Sequence, residues 1–290
     1  MKKRLLLLLI LFINASLFAQ NLKIPIPNNP AVKVGTLKNG MKYYILKNEK
    51  PAIRMELRRV VNVGSVLETE QQQGLAHFME HMNFNGTKSF PKNELVNFLQ
   101  KAGMKFGADL NASTSFDETI YQLQVPTDSA KLFERSFQIL ADWAHYATLD
   151  TAEINKERGI IIEEERARGK NAQSRMQVKL LPLLFNNSRY AERIPIGKVE
   201  ILKTFKPELL TKFYKDWYRP DLMAVVAVGD FNAAQVEKLI KDKFSLIPVN
   251  LKGPKRTKYS ISPQKGIIRC QEWNLPHCPC CRRWATALRR

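Results

Sequence analysis

The chain has 290 residues, of which 44% are hydrophobic, so it can form one large domain or two smaller ones with a buried core. This composition excludes a mainly disordered protein. Lys and Arg number 46 against 27 Asp and Glu, which gives a net charge of +19. The first four residues carry +3 and residues 264–290 carry +5, so +11 remains for the body of the chain. Because that charge is dispersed and no nucleic-acid-binding motif accompanies it, we do not expect a nucleic-acid partner.

Residues 1–19 have the organisation of a secretory signal peptide. Three basic residues precede an apolar run from Leu5 to Ile13, and a small residue, Ala19, stands at the expected cleavage site. The apolar run is shorter than the roughly 20 residues that span a bilayer. We therefore expect an exported protein, periplasmic or secreted, without a membrane span once the signal is removed. An uncleaved anchor is the alternative.

All four cysteines lie in the last 21 residues, so the body of the chain must be stabilised by its core and not by disulfides. Residues 267–290 are rich in Cys and Arg and lack apolar periodicity, and we expect this tail not to be folded. A zinc knuckle built from these cysteines and His277 is disfavoured, because adjacent Cys280 and Cys281 cannot easily both bind one ion. We interpret the tail as an end that was not selected together with the fold.

Between residues 31 and 248 the pattern predicts a single α+β domain. In chain order we expect a hairpin at 34–48, a strand at 55–65, helices at 74–84 and 90–103, strands at 105–115 and 119–126, helices at 129–147 and 151–169, a polar loop, a helix at 202–218, a strand at 221–231 and a helix at 233–247. The hairpin prediction rests on Asn39-Gly40 between two alternating runs. Residues 249–266 are predicted to be a linker and the start of a second repeat.

The strongest chemical signal is the sequence His77-Phe78-Met79-Glu80-His81. On a helix, His77 and His81 share one face and can bind one ion, while Glu80 lies about 60° away from His77. Metal-assisted hydrolysis needs this arrangement, because zinc lowers the pKa of its bound water and a neighbouring Glu can take the proton. Two histidines that coincide by chance are the alternative. The pattern is the HxxEH form of zinc-binding motif.

Two histidines leave zinc without a full ligand set, so we expect a carboxylate from another element. The best source is the cluster at 163–165, together with Glu157, which lies on the same helical face as Glu164. The apolar residues 160–162 indicate that this helix is largely buried, where an acid needs a cationic or metal partner. A helix stabilised only by salt bridges to its own arginines is the alternative.

Several of these segments resemble the insulinase and pitrilysin family of zinc peptidases, also called M16. The resemblance covers about residues 34–248. It rests on the order of the hairpin and the segments GLAHFMEHMNFNGT, GADLNASTSFDETIYQL, ERGIIIEEERAR, RIPIG and FYKDWYRPDLMAVVAVGDF. It implies an antiparallel sheet with helices packed on it, as in the family's metallohydrolase-like repeat.

The resemblance also implies roles for individual residues. His77, His81 and Glu164 correspond to the zinc ligands of the family, and Glu80 corresponds to its general base. Glu157 corresponds to a supporting catalytic residue of some members. Zn²⁺ is the implied cofactor.

The strand that contains Asn111, Ala112 and Thr114 resembles the edge strand that pairs with an extended peptide substrate. Family members work as pairs of repeats that enclose a chamber, and this chain contains one metal-bearing repeat. We therefore expect a peptide substrate and a second M16-type repeat or chain as partner.

The sequence thus predicts a zinc-dependent metalloendopeptidase that uses a metal-activated water. A zinc-binding but inactive part of a longer peptidase, which needs a partner half, is the first alternative. A basic surface-binding module is the second alternative, and only the dispersed positive charge supports it.

Overall fold

The computed structural model describes residues 27, 29–92, 94–170, 172–186, 188–250 and 252–262. The predicted signal peptide and the Cys- and Arg-rich tail, with all four cysteines, lie outside the described residues. In the part of the chain that is described, no helix is both long and apolar enough to cross a membrane.

Within the described ranges the chain forms six strands and nine α-helices. The strands are β1 (Lys33–Thr36), β2 (Lys42–Lys47), β3 (Arg54–Val61), β4 (Leu110–Thr114), β5 (Thr119–Pro126) and β6 (Met223–Gly229). The helices are α1 (Leu75–Asn85), α2 (Glu94–Lys101), α3 (Ala130–His145), α4 (Thr151–Lys170), α5 (Ala172–Leu184), α6 (Arg189–Glu192), α7 (Val199–Thr204), α8 (Pro207–Trp217) and α9 (Ala233–Phe244). Every predicted strand and helix corresponds to at least one of these elements.

The six strands form one sheet in the order β1-β2-β6-β3-β5-β4, and the predicted α+β class is confirmed. Four of the five neighbouring pairs are antiparallel as expected, whereas β2 and β6 pair in parallel. The sheet is therefore mixed. Because β2 and β3 run in opposite directions on either side of β6, β6 must run parallel to one of them. Strand β4 lies at one edge of the sheet.

The turn between β1 and β2 confirms the predicted hairpin. Gly40 adopts a φ of +91°, a left-handed conformation that glycine tolerates without a steric penalty. Asn39 donates from Nδ2 to the carbonyl oxygens of Phe244 and Ile247, at 2.8 and 3.1 Å. Asn39 therefore also links the first hairpin to the end of the last helix.

Helix α1 lies deep in the core, with eight of its eleven residues buried. Asn83, near the end of α1, anchors the helix through two hydrogen bonds. Its carbonyl accepts a bond from Trp143 Nε1 at 3.0 Å, and its Nδ2 donates to the Tyr121 hydroxyl at 2.6 Å. The buried guanidinium of Arg59 lies over the Tyr121 ring, 4.1 Å from its centroid. These contacts fix the helix that carries the two predicted histidine ligands against α3 and the sheet.

The predicted polar loop after residue 169 is wrong for most of its length, because α5 and α6 form there. Helix α5 buries none of its described residues and leaves Val178 and Leu184 half exposed, at 52% and 51%. A helix without a buried stripe gives no clear 3.6-residue periodicity. Its Gln, Arg, Met, Lys and Leu residues nevertheless favour helix through their intrinsic propensity.

The single helix predicted at 202–218 is two helices, α7 and α8, separated by Phe205 and Lys206. Pro207 begins α8, and a proline restricts the residue before it to extended conformations. The break therefore has a local cause that was present in the sequence.

Residues 252–262 contain neither helix nor strand, and they are held against the domain by arginine contacts. Arg256 donates from Nε to the Asn62 carbonyl at 2.7 Å and from Nη2 to Asp117 Oδ1 at 3.2 Å. Arg219 donates to the Pro254 carbonyl at 2.9 Å. The assignment of 249–266 as a linker to a second repeat stays a prediction.

Candidate metal centre

The start of α1 is defined by a close contact between two glycines. Gly74 precedes the helix with a φ of +103°, and Gly197 lies against it with a φ of +81°. A Cβ at Gly197 would lie 2.3 Å from Gly74 Cα, so no larger residue fits there without a shift of the backbone. The contact brings Pro195 and Ile196 to the wall of the cleft described below.

A fully buried carboxyl group, that of Glu68, caps the same helix end. Glu68 Oε1 accepts a hydrogen bond from the Ala76 amide at 2.7 Å, and Oε2 accepts one from the Gly74 amide at 3.0 Å. Burial raises the pKa of Glu68 to about 8, although these two amides and the charge of Arg193 oppose the rise. Glu68 was not predicted from the sequence, because its distance from the helix start fits no standard N-cap spacing.

We expect the unfolding free energy of the zinc-free protein to fall as the pH rises from about 5 to 8, and to fall less steeply in Glu68→Gln. The folded state retains the Glu68 proton up to about pH 8, whereas the unfolded state loses it near 4.5, so the folded state binds more protons in this window. Urea unfolding at three pH values would measure both slopes, with exposed Glu94→Gln as the control. Equal slopes in wild type and Glu68→Gln would contradict the assignment.

Three donor atoms converge on one point between α1 and α4. Glu164 Oε2 lies 3.6 Å from His77 Nε2 and 3.5 Å from His81 Nε2, which is too long for good hydrogen bonds. Two ligands bound to zinc at 2.0–2.1 Å with a tetrahedral angle lie about 3.4 Å apart. Both distances from Glu164 are close to this value, and the donor set of two imidazoles and one carboxylate has the chemistry of a zinc site with an open fourth position. Neighbouring Glu163 instead pairs with Arg166 at 2.7 Å on the exposed side of α4.

The pKa values of the three donor groups differ strongly. Burial, together with the charge of His81, lowers the pKa of His77 to about 4. Contact with His81 lowers the pKa of Glu164 to about 2, against the opposing effect of burial. Burial would lower the pKa of His81, but its contacts with Glu157 and Glu164 outweigh burial and raise the pKa to about 9. Near pH 7 His77 is therefore neutral and Glu164 ionised, as zinc ligation requires, whereas His81 carries a proton that zinc must displace when it binds.

Glu157 lies behind His81 and not beside the open face. Its Oε1 is 2.8 Å from His81 Nδ1, and its Oε2 accepts a bond from Asn85 Nδ2 at 2.6 Å. Although burial opposes the change, these two contacts lower the pKa of Glu157. The carboxylate therefore holds the ring so that Nε2 faces the other donors.

Helix α4 is less buried than the sequence predicted. Only Ile154, Glu157 and Ile161 are buried among its described residues, and Ile160 is 50% exposed. The expectation of a largely buried helix was wrong, because α4 presents one narrow stripe to α1 and α7 and leaves its other faces to solvent.

Glu80 lies next to this centre, and the edge strand contacts it directly. The Thr114 hydroxyl donates a hydrogen bond to Glu80 Oε2. Burial raises the pKa of Glu80, and the bond from Thr114 opposes that rise. Thr114 was predicted only as part of the substrate strand. Its hydrogen bond to Glu80 is an additional contact that the strand pattern cannot reveal.

One cleft of about 470 Å³ is lined by every residue to which the family resemblance assigns a role. They are His77, Glu80, His81, Asn111, Ala112, Thr114, Glu157 and Glu164. Strand β4, which supplies three of them, pairs with β5 on one side and is the edge of the sheet on the other. The edge position predicted from the resemblance is therefore present, and it faces the candidate metal centre.

Comparison with known proteins assigns the chain to a family. Residues 43–194 match the family described as Insulinase (Peptidase family M16), and residues 204–274 match the Peptidase M16 inactive domain. The chain belongs to the M16 peptidase family. The resemblance inferred from the sequence is thus confirmed.

Several similar M16 proteins are zinc proteases by name, and zinc is the cofactor of this family. The probable zinc protease PqqL of Haemophilus influenzae is 40% identical over 250 residues, which are 84% of this chain and 27% of that protein. PqqL of Escherichia coli is 37% identical over 225 residues, 78% of this chain and 24% of that protein. The chain thus spans about a quarter of the length of these curated relatives.

A solved structure confirms the M16 fold. The crystal structure of the first half of the periplasmic protease PqqL from Escherichia coli superposes with a TM-score of 0.79 at 35% identity. The match covers 82% of this chain and 51% of that one. The whole E. coli protease has also been solved, and this chain covers 26% of it.

The M16 site also contains residues that the sequence analysis did not assign. Asn85 bonds to Glu157, and Arg168 bonds to Glu164 and lines the cleft. Asn85 could have been found, because it follows His81 by four residues and so shares its helical face. Arg168 was considered only as a salt-bridge partner within its own helix.

Proposed function

We propose that this M16 chain contains a zinc metalloendopeptidase domain that hydrolyses bonds within extended peptides. In this proposal His77, His81 and Glu164 hold Zn²⁺, and Glu80 is the general base. The observation that carries it is the convergence of two imidazole nitrogens and one carboxylate oxygen beside a buried glutamate. The family assignment supports the same reaction class.

Bound zinc would polarise the peptide carbonyl and lower the pKa of a water molecule. Glu80 accepts the proton of the attacking water and then donates it to the nitrogen of the leaving amine. A carboxyl group whose pKa is raised by burial is a stronger base than an exposed one, which suits this task near neutral pH. The Thr114 hydroxyl fixes one oxygen of Glu80 and so orients the carboxylate.

Glu157 acts through His81 and is a positioning residue in this proposal. It accepts the Nδ1 proton of His81, which selects the tautomer whose Nε2 lone pair is free for the metal.

We expect Glu157→Gln to weaken zinc binding about 10-fold, because the amide no longer stabilises that tautomer as a carboxylate does. Competition with a chromophoric chelator would measure the zinc dissociation constant. Glu163→Gln on the same helix is the control, since Glu163 is exposed and pairs with Arg166. Unchanged zinc affinity in Glu157→Gln would refute the positioning role.

The substrate strand is the unpaired edge of β4, at Asn111, Ala112 and Thr114. An extended peptide can add to such an edge through its backbone, which favours unfolded segments over folded domains. The cleft on the same side brings the peptide bond beside Glu80.

We further propose that the protein acts outside the cytoplasm, as a periplasmic or secreted peptidase. The basic and apolar N-terminal segment supports this location, and the similar E. coli protease is described as periplasmic.

The test combines zinc content with hydrolysis of a quenched, unstructured peptide by the purified chain. We expect about one zinc per chain and turnover that a chelator abolishes and added zinc restores. Absence of zinc at one equivalent would refute the metal site.

A second candidate function is zinc binding without hydrolysis until a second M16 half is supplied. The observation that favours it is that the chain covers 51% of the solved first half of E. coli PqqL and about a quarter of the whole protease. Adding the separately purified remainder of the Haemophilus influenzae relative, outside the 27% that this chain matches, would distinguish the two. Turnover that appears only after this addition would favour the second candidate.

A further inference from the structure

Arg168 lies at the mouth of the cleft and has no role in the proposed chemistry. It follows Glu164 by one helical turn on α4, and its Nη2 is 2.5 Å from Glu164 Oε1. Glu164 thus turns one oxygen toward the two imidazoles and the other toward the guanidinium. The ion pair holds a long side chain in place at the rim, so little conformational freedom remains to be lost when a ligand binds it.

The charge of Arg168 stands out among the described residues that line the cleft. The other charged or titratable side chains there are three glutamates and two histidines, and Arg168 supplies the one permanent cation. Its side chain is 57% exposed, whereas that of Glu164 is 30% exposed. A guanidinium has five N–H donors, and one nitrogen bonds Glu164, so donors remain on the side that faces solvent.

The neighbouring arginines of α4 serve other purposes. Arg158 donates to the carbonyl oxygens of Leu202 and Phe205 and stacks on the Phe205 ring. Arg166 pairs with Glu163 and does not line the cleft. Of the three, Arg168 alone faces the space where a peptide on the β4 edge would lie.

We propose that Arg168 is a specificity-determining residue that binds a carboxylate of the peptide substrate. The proposal rests on the proposed function, because it requires a peptide in the cleft. Guanidinium and carboxylate form paired, charge-assisted hydrogen bonds, and the exposed donors of Arg168 can form them without releasing Glu164. The carboxylate belongs to an acidic side chain or to the C-terminus of the peptide, and the test separates these sources.

The test measures peptide binding by the zinc-loaded full chain in a Glu80→Gln background, so that no peptide is cut. The probes are matched pairs of fluorescein-labelled ten-residue peptides. The two members of a pair differ only in having Glu or Gln at one position, and each pair tests a different position. A further pair has a free or an amidated C-terminus. Fluorescence anisotropy gives each dissociation constant, and metal analysis gives the zinc content of each variant.

At one position we expect the Glu peptide to bind about fivefold more tightly than the Gln peptide, as for a half-exposed ion pair. Arg168→Gln should abolish this preference, because the amide can still donate to Glu164 but carries no charge. Arg168→Lys should retain most of it, and Arg166→Gln should retain all of it. A preference confined to the free C-terminus and lost in Arg168→Gln would assign the same site to the chain end.

Equal binding of every matched pair, or binding of none of the peptides, would overturn the proposal. Survival of the preference in Arg168→Gln would do so as well. The proposed function is judged separately, by zinc content and by hydrolysis with Glu80 intact, so the two can fail independently.

Discussion

Replacing Glu80 by Gln should abolish peptide hydrolysis and leave zinc bound at full stoichiometry. A positioned general base contributes about 10²- to 10⁴-fold to such reactions, and the amide of Gln cannot accept the proton. The substitution keeps the size of the side chain and an oxygen that can accept the Thr114 hydroxyl bond. The measurement is the initial rate on a quenched peptide, with metal analysis of the same sample.

Glu163→Gln is the matched control for this loss, because it removes a nearby carboxylate that is exposed and bonded to Arg166. It should keep wild-type turnover. Turnover of Glu80→Gln within tenfold of wild type would refute the assignment of Glu80 as the general base.

Removal of the third ligand is the second large effect. We expect Glu164→Ala to lower zinc affinity by more than about 100-fold, beyond the usual effect of losing a residue that only supports a ligand. The same loss should follow His77→Ala, since the two residues approach the same point from different helices. Zinc content after gel filtration, measured by elemental analysis, would show the loss of the stoichiometric metal.

The adjacent residue provides a sharp comparison. Glu163→Ala changes the same residue type on the same helix, but its carboxylate points to Arg166 and not to the histidines. It should keep one zinc per chain. If Glu164→Ala and His77→Ala both kept zinc at full occupancy, the ligand assignment would be wrong.

The fold was predictable where its signals are local. Asn39-Gly40 fixes a hairpin, and Gly103 marks the end of α2, although α2 begins at Glu94, four residues later than predicted. The parallel pairing of β2 with β6 was not predictable, because it depends on where a distant strand enters the sheet. Helix α5 was missed for a different reason, since a helix that buries nothing lacks the apolar stripe on which pattern reading relies.

The site residues also divide into those that local sequence signals predict and those that depend on long-range contacts. His77, Glu80 and His81 lie within five residues, so helical geometry alone brings them together. The choice of Glu164 over Glu163 came from the resemblance to the family, and the spacing of acids left it open. Glu68 could not be recognised from sequence, because its contact with the start of α1 depends on how the intervening chain folds back.

The contact between α1 and α4 at the metal centre affects the stability of the fold. His81 and Glu164 are 83 positions apart in the chain, and few buried apolar residues anchor α4. A metal held by both helices would act as a cross-link between distant parts of the polypeptide, so part of its binding energy becomes folding energy. Loss of the ion would then loosen α4 and the exposed α5 that follows it, while the sheet and α3 stay intact. The metal of this domain would in that case determine its resistance to proteolysis as well as its chemistry.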